Sequence, residues 1–226
     1  RSVLQFEFLC NTEKVAYEDE IRKLGGVIHN ICARSKNLKQ YKHDMTEFFK
    51  NNAEKYCALW FNTCSLSNID YLVYATKYHI PKRIIHCHNA ANGGDSFLRN
   101  LLHKYHQRKV FKYATDFWTC NQDSDLWFFG KSSKELPNYR VIYNAIDLDY
   151  FAPNDEIRKE YRSKLNISNE ILLGHDGRFH YQKNQEFLIK VMRELNQRYP
   201  NKYKLILIGQ GENMKMIQDM ITEFHL

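Results

Sequence analysis

The sequence predicts an α/β protein made of two Rossmann-like, doubly wound lobes, and three observations carry that prediction. Apolar runs of strand length alternate with segments of helical period along the whole chain. The joints between them are short, which suits mostly parallel strands joined by right-handed crossovers. After Asn144 the chain changes character, passing through the turn-rich "AIDLDYFAPNDE" before the alternation resumes. The expected organisation is a first lobe over residues 1–149 and a second over 150–226.

Each element has its own local reason. "VLQFEFLC" (3–10) is apolar and β-prone, and "AYEDEIRKL" (16–24) is a helix stopped by Gly25-Gly26. "VIHNIC" (27–32) is a second strand, and 38–52 has the apolar period of a helix. "CALWFNT" is a strand, and "SNIDYLVYATKYH" a helix that Pro81 ends. "RIIHCHN" is a strand running into "AANGGD", followed by a basic helix from residue 97. "DFWTC", "SDLWFFG" and "YRVIYN" read as strand, short helix and strand, and 156–165 as a polar helix. Two strand–helix units follow, "ILLGHDG" with "NQEFLIKVMRELNQRY" and "KLILIGQG" with "ENMKMIQDMITEF". Phe187, Val191 and Leu195 stand four apart, the spacing of a helix face turned to a sheet.

Composition narrows the function classes. With 226 residues, 43% hydrophobic, the chain can bury a substantial core. No run approaches the roughly 18 apolar residues of a membrane span. The chain opens on Arg1 and enters a strand at once, so it is expected to be a piece of something longer. Its six cysteines have no CxxC pairing. Those at 10, 57, 87 and 120 lie in or beside apolar runs and are read as small buried hydrophobes, and the set suits a reducing compartment such as the cytoplasm.

The net charge is +7, yet no nucleic-acid-binding signature accompanies it, so nucleic acid is not an expected partner. An anionic small substrate or an anionic lipid surface fits equally. The sharpest concentration is 97–114, with five Lys/Arg, two His and no acid. Leu98, Leu101, Leu102 and Tyr105 recur there at helical spacing. The plain reading packs that stripe inward and solvates the rest. The functional reading is a docking helix for the cytoplasmic leaflet, with Lys104, Arg108, Lys109 and Lys112 meeting lipid phosphates.

The stretch "GRFHYQKNQ" (177–185) carries the chemistry. Open parallel sheets bind ligands beyond the carboxyl ends of their strands, where helix N-termini present free N–H groups. "GRFHYQKN" and "GQGE" are the loops at two such ends. Arg178 and Lys183 in that setting make a site for a phosphate or diphosphate, and Gly209 and Gly211 let backbone approach the ligand. The P-loop pattern is absent, and "GQGENM" lacks the third glycine of the dinucleotide fingerprint. "HCH" at 86–88 has a metal-like look, but alternation sets Cys87 on the opposite face, so no metal is expected and His86 reads as structural.

"GRFHYQKNQEFLI" resembles the "GRF…KN/KG…LI" signature of retaining glycosyltransferases of the GT-B architecture, the group 1 (family 4) type that builds bacterial capsule and exopolysaccharide. "RIIHCHNAANGG", "YATDFWTCNQDSDLWFFG", "VIYNAIDLDYF" and "LILIGQGE" resemble further segments of that family in the same order. The resemblance implies a nucleotide-sugar donor, with a UDP-sugar favoured, and a glycan or lipid-linked acceptor at the inner membrane face. No metal or cofactor is implied. Arg178, Lys183 and His88 are implied catalytic residues, with His88 hydrogen-bonding the donor sugar. Gly177, Asn184, Gly209, Gly211 and Glu212 would line the donor site, and Asn89, Gly93 and Gly94 an acceptor-side loop. The family's opening glycine-rich loop and its later paired-glutamate motif have no counterpart in 1–226, so the second lobe is expected to be truncated and the chain alone catalytically silent. "DLD" at 147–149 is better matched to the family's linker than to a metal-binding triplet. Two alternatives stand beside this reading: a sugar-nucleotide epimerase on the same scaffold, and a non-catalytic partner protein that keeps the fold.

Overall fold

The structure, a computed structural model, describes residues 4–12, 14–88, 97–121 and 124–226. The chain divides into two compact units, Arg1–Ala145 and Ile146–Leu226. The division falls a few residues before the boundary expected at 149/150.

The first unit runs β1 (Glu7–Cys10), α1 (Glu18–Lys23), β2 (Val27–Asn30), α2 (Leu38–Asn52), β3 (Ala58–Thr63), α3 (Asp70–Lys77), β4 (Lys82–Cys87), α4 (Phe97–Lys109), β5 (Asp116–Thr119), α5 (Ser124–Phe129) and β6 (Arg140–Val141). The second holds α6 (Asp155–Lys164), β7 (Ile171–Asp176), α7 (Gln185–Arg198), β8 (Tyr203–Ile208) and α8 (Met214–Glu223). Every described strand pair is parallel. The expected alternation is therefore present element by element, although β1 and β6 are shorter than their apolar runs. At the edge strand β6 the pairing goes one step further, as the Ile142 N–H donates to the Thr119 carbonyl at 2.8 Å.

The four-stranded sheet has the order β3-β4-β5-β6, which is chain order. Each crossover steps the same way, and with constant handedness the connecting helices fall on one face. Ile85, Cys87 and Phe117 of that face are buried with Leu72, Val110, Phe128 and Phe129 from the helices. Register places Asn62 and Trp118 on either side of His86, and Trp60 beside Ile84, on the opposite face. Strands β1 and β2 form a separate ladder, where one sheet was expected. Side chains link it to the larger sheet. The Tyr56 hydroxyl donates to Glu7 Oε2 at 2.5 Å, and the Phe6 and Trp60 rings lie 6.4 Å apart. The Tyr56 hydrogen bond, with one from His29, holds the Glu7 carboxyl below its usual range.

In the second unit β7 and β8 pair over six residues, and Phe179, Ile189 and Ile217 are buried against Leu205 and Leu207. Full burial of such a side chain is worth about 1.5–3 kcal/mol.

Three sequence expectations need correction. Cys57 is exposed, because it precedes β3 instead of joining it; Cys87 is buried as expected, and Cys10 and Cys120 are half-buried. Helix α7 turns Gln185, Ile189 and Met192 inward, which rotates Phe187 out to 58% exposure. Helix α4 is inverted: Leu98, Leu101 and Tyr105 are exposed while His103 is buried. The cause is polar demand beneath it. His103 Nδ1 accepts from the Leu66 N–H at 3.1 Å, His106 Nδ1 meets the Leu66 carbonyl at 2.6 Å, and Gln107 Nε2 donates to the Trp127 carbonyl at 2.9 Å.

Candidate functional site

The carboxyl ends of β7 and β8 continue into two loops that are zipped together by backbone. The Gly177 N–H donates to the Ile208 carbonyl and the Phe179 N–H to the Gln210 carbonyl, both at 2.9 Å. The Asn213 N–H returns to the Phe179 carbonyl at 3.1 Å. This closeness explains the two glycines of "GQG". A Cβ on Gly209 (φ 145°) would stand 2.1 Å from the Gly177 carbonyl oxygen, and one on Gly211 would stand 2.2 Å from that of Phe179. The space they clear is taken by the neighbouring loop, where the sequence suggested a ligand.

Arg178 and Lys183 rise from this zipped base, both exposed. The stem of Lys183 lies over Gly177, its Cδ and Cε 3.5 Å from where a Cβ on Gly177 would be. Most neighbouring cations of the unit are engaged. Lys190 meets Glu186 at 2.6 Å, Lys204 meets Glu170 at 3.0 Å, and Arg162 donates to the Ser168 and Glu170 carbonyls. Arg178 and Lys183 have no ion-pair partner among the described residues. Two carboxylates beside the loops are engaged elsewhere: Glu186 by Lys190, and Glu212 by His180 Nε2 at 3.3 Å.

The helices behind these loops lack side-chain caps at their N-termini. Asn37 caps α2 by accepting from the Gln40 N–H, and Asn154 caps α6 by accepting from Glu156 and Ile157. Asparagine also precedes α7 and α8, but neither caps. Asn184 sits left-handed (φ 51°, ψ 41°) without a side-chain hydrogen bond, and Asn213 likewise makes none. First-turn N–H groups are thus left without a side-chain cap beside two unpaired cations. The arrangement can hold a dianion or a diphosphate.

Gln185 was not singled out from the sequence. It is buried, and its Nε2 donates to the Arg178 carbonyl at 2.9 Å, tying the cationic loop to the start of α7. The signal was there: Gln185 lies four residues before Ile189, a polar residue on the apolar stripe.

In the first unit, His88 follows β4, half-buried, with Nε2 3.0 Å from Asn62 Oδ1. Burial pushes its pKa below the ordinary value, so it is held as a neutral imidazole. His86 is 3% exposed, stacked on Trp60 and edge-on to Trp118. Among the described residues, neither of its ring nitrogens has a hydrogen-bond partner within bonding geometry, nor has Trp118 Nε1. Burial depresses His86 too, with the adjacent His88 adding to the effect and the Ile142 backbone opposing it. Asn89, Gly93 and Gly94 lie outside the described residues. Asp147 of "DLD" serves the turn, its Oδ1 accepting from the Asp149 and Tyr150 N–H groups at 3.1 Å. Among the described residues, no three of His, Cys, Asp and Glu gather into a group that could hold a metal.

Comparison with known proteins bears on the family and the fold. Residues 157–226 match the family "Glycosyl transferases group 1". The protein named "Putative glycosyltransferase EpsF" of Bacillus subtilis (strain 168) is 28% identical over 215 residues, covering 93% of this chain and 55% of that protein. "Uncharacterized glycosyltransferase MJ1059" of Methanocaldococcus jannaschii is 30% identical over 129 residues, which is 56% of this chain and 30% of that protein. The chain therefore spans about half the length, or less, of these curated relatives. Among solved structures, Anabaena Alr3699/HepE in complex with UDP and glucose superposes with a TM-score of 0.77 at 17% identity, over 99% of this chain and 67% of that one. The same protein with UDP-glucose gives a TM-score of 0.74 at 17% identity, over 98% and 66%. The chain thus has an α/β fold of the GT-B type, and its residues 157–226 match the glycosyl transferases group 1 family.

Proposed function

We propose that this chain is part of a retaining glycosyltransferase that moves a sugar from a nucleoside-diphosphate donor, a UDP-sugar, to a glycan or lipid-linked acceptor in surface-polysaccharide synthesis at the cytoplasmic face of the membrane. The observation that carries the reading is the pair of unpaired cations, Arg178 and Lys183, beside two helix N-termini without side-chain caps. The UDP and UDP-glucose held by the solved neighbour support it.

Breaking the anomeric C–O bond leaves negative charge on the departing diphosphate. Donors fixed in advance around that position stabilise the transition state more than the ground state. Arg178 would grip phosphate oxygens through its planar fork, and Lys183 would add a point charge. Charge on the leaving group is met by this chain's own cations, so the proposed reaction needs no divalent metal. His88, neutral and half-buried, is suited to hydrogen-bonding sugar hydroxyls through its ring.

The test is turnover in the enzyme that contains this chain, using a panel of UDP-sugars and membrane-extracted acceptors. Arg178→Ala or Lys183→Ala should lower turnover about 10²- to 10³-fold, the cost of losing one preorganised donor. Arg178→Lys should recover only part of it, and EDTA should change nothing. Normal rates in both alanine variants, or loss of activity with EDTA, would overturn the reading. Interconversion of the nucleotide sugar without transfer would favour the epimerase.

A further inference from the structure

The inversion of α4 identifies a surface independent of the donor site. Phe97 is 84% exposed, Leu98 63%, Leu101 54% and Tyr105 52%, four large apolar side chains on one helix. At about 100° per residue they fall within a single arc, and Lys104, Arg108 and Lys109 lie within or beside that arc. Lys109 Nζ sits over the Tyr105 ring, 4.2 Å from its centre, and also donates to the Tyr105 hydroxyl. No Asp or Glu occurs between Phe97 and Ala114. The inward side is polar and already satisfied: His103, His106 and Gln107 hold the backbone at Leu66 and Trp127. The helix therefore cannot roll its apolar arc into the core without orphaning those backbone groups, which is costly for buried polar groups.

We infer that this arc is a docking surface for an anionic phospholipid leaflet, with Phe97, Leu98, Leu101 and Tyr105 entering the headgroup–acyl boundary and Lys104, Arg108 and Lys109 meeting lipid phosphates. Two features select lipid over a protein partner. Protein interfaces gather apolar side chains and deplete lysine, whereas interfacial helices interleave basic and apolar ones. Long basic side chains can also lay their stems along the apolar surface while their charged ends reach the phosphates. The Lys109–Tyr105 contact already has that form.

The experiment is co-sedimentation of the 226-residue chain with vesicles of equal parts phosphatidylglycerol and phosphatidylcholine, against pure phosphatidylcholine. The chain should pellet with the anionic vesicles and release as salt shortens the Debye length below about 8 Å. Lys104→Gln/Arg108→Gln/Lys109→Gln should lower partitioning about a hundredfold, since each basic side chain at an anionic surface is worth roughly fivefold. Leu98→Ser/Leu101→Ser should lower it by roughly tenfold or more, because the lost apolar burial is independent of charge. Far-UV circular dichroism and UDP titration of both variants should be unchanged, which separates this surface from the donor site. Phe97→Trp gives a readout without loss of a docking group: its difference emission should shift to the blue with anionic vesicles and revert in salt. Equal binding to neutral vesicles, or full binding by the triple variant, overturns the inference. So does a Leu98→Ser/Leu101→Ser variant that merely turns a sedimenting dimer into a monomer, which would make the arc a contact between copies.

Discussion

Helices α4 and α7 are similar in length, 13 and 14 residues, and both carry apolar side chains at helical spacing, yet they use them in opposite ways. Helix α7 packs Ile189 and Met192 against a sheet face that offers Leu205 and Leu207. Helix α4 meets backbone groups at Leu66 and Trp127 that need polar partners, and so presents histidines inward and leucines outward. A periodic stripe shows that a helix has two faces. Which face turns inward is decided by what lies opposite. Cations follow the same division: Lys104, Arg108 and Lys109 of α4 lie along or beside its outer arc, whereas Arg178 and Lys183 are fixed at the entrance to α7.

The sharpest way to break this comparison is to truncate each stripe. Ile189→Ala should cost roughly 2–5 kcal/mol in chemical denaturation, as a buried large-to-small change does. Leu101→Ala should stay within about 0.5 kcal/mol, as an exposed substitution away from any special feature. Similar losses from both would mean that α4 packs its leucines after all.

A smaller effect is expected at Gln185, the polar member of the α7 stripe. Gln185→Leu keeps the volume but frees the Arg178 carbonyl from its 2.9 Å hydrogen bond. Stability should fall by about 1 kcal/mol, and UDP affinity should drop several-fold because the cationic loop is no longer tied to the helix. A variant with unchanged UDP affinity would show that the tie does not position Arg178.

The smallest expected effect concerns His86, a buried polar residue that lacks, among the described residues, the partners that His103 finds. Burial lowers its pKa in the fold beneath the ordinary value near 6.5. On acidification the unfolded chain takes up this proton first, so stability present above about pH 6.5 is lost as pH falls toward the lower folded value. His86→Phe removes the titration and the unpartnered nitrogens. Its melting temperature should equal or exceed the parent's at pH 7 and fall less by about pH 5.5. A parallel acid profile would show that His86 does not carry the dependence.

Much of this was legible in the sequence because it is written locally. Alternation, glycine stops and apolar runs located every described strand and α-helix, though not the short 3-10 turns, and the Arg178–Lys183 loop lies at the strand end where the pattern put it. What escaped depended on contacts between distant segments. His103 is read inward only once Leu66, 37 residues away in sequence, is known to lie beneath it. Gly209 and Gly211 follow a turn pattern in sequence, but the carbonyls they accommodate belong to the loop after a different strand. Cys57 belongs to an apolar run and stays exposed because the ladder begins one residue later.

The central claim is that the loops after β7 and β8 hold a diphosphate, and amide chemical shifts test it most directly. Titrating UDP into isotopically labelled chain should move the resonances of residues 177–187 and 209–214, while uridine without its phosphates should leave them in place. Arg178→Ala and Lys183→Ala should each weaken the UDP response by about tenfold or more, as loss of a charge-assisted contact of roughly 1.5–3 kcal/mol requires. Equal shifts with uridine, or undiminished UDP affinity in both variants, would contradict the account.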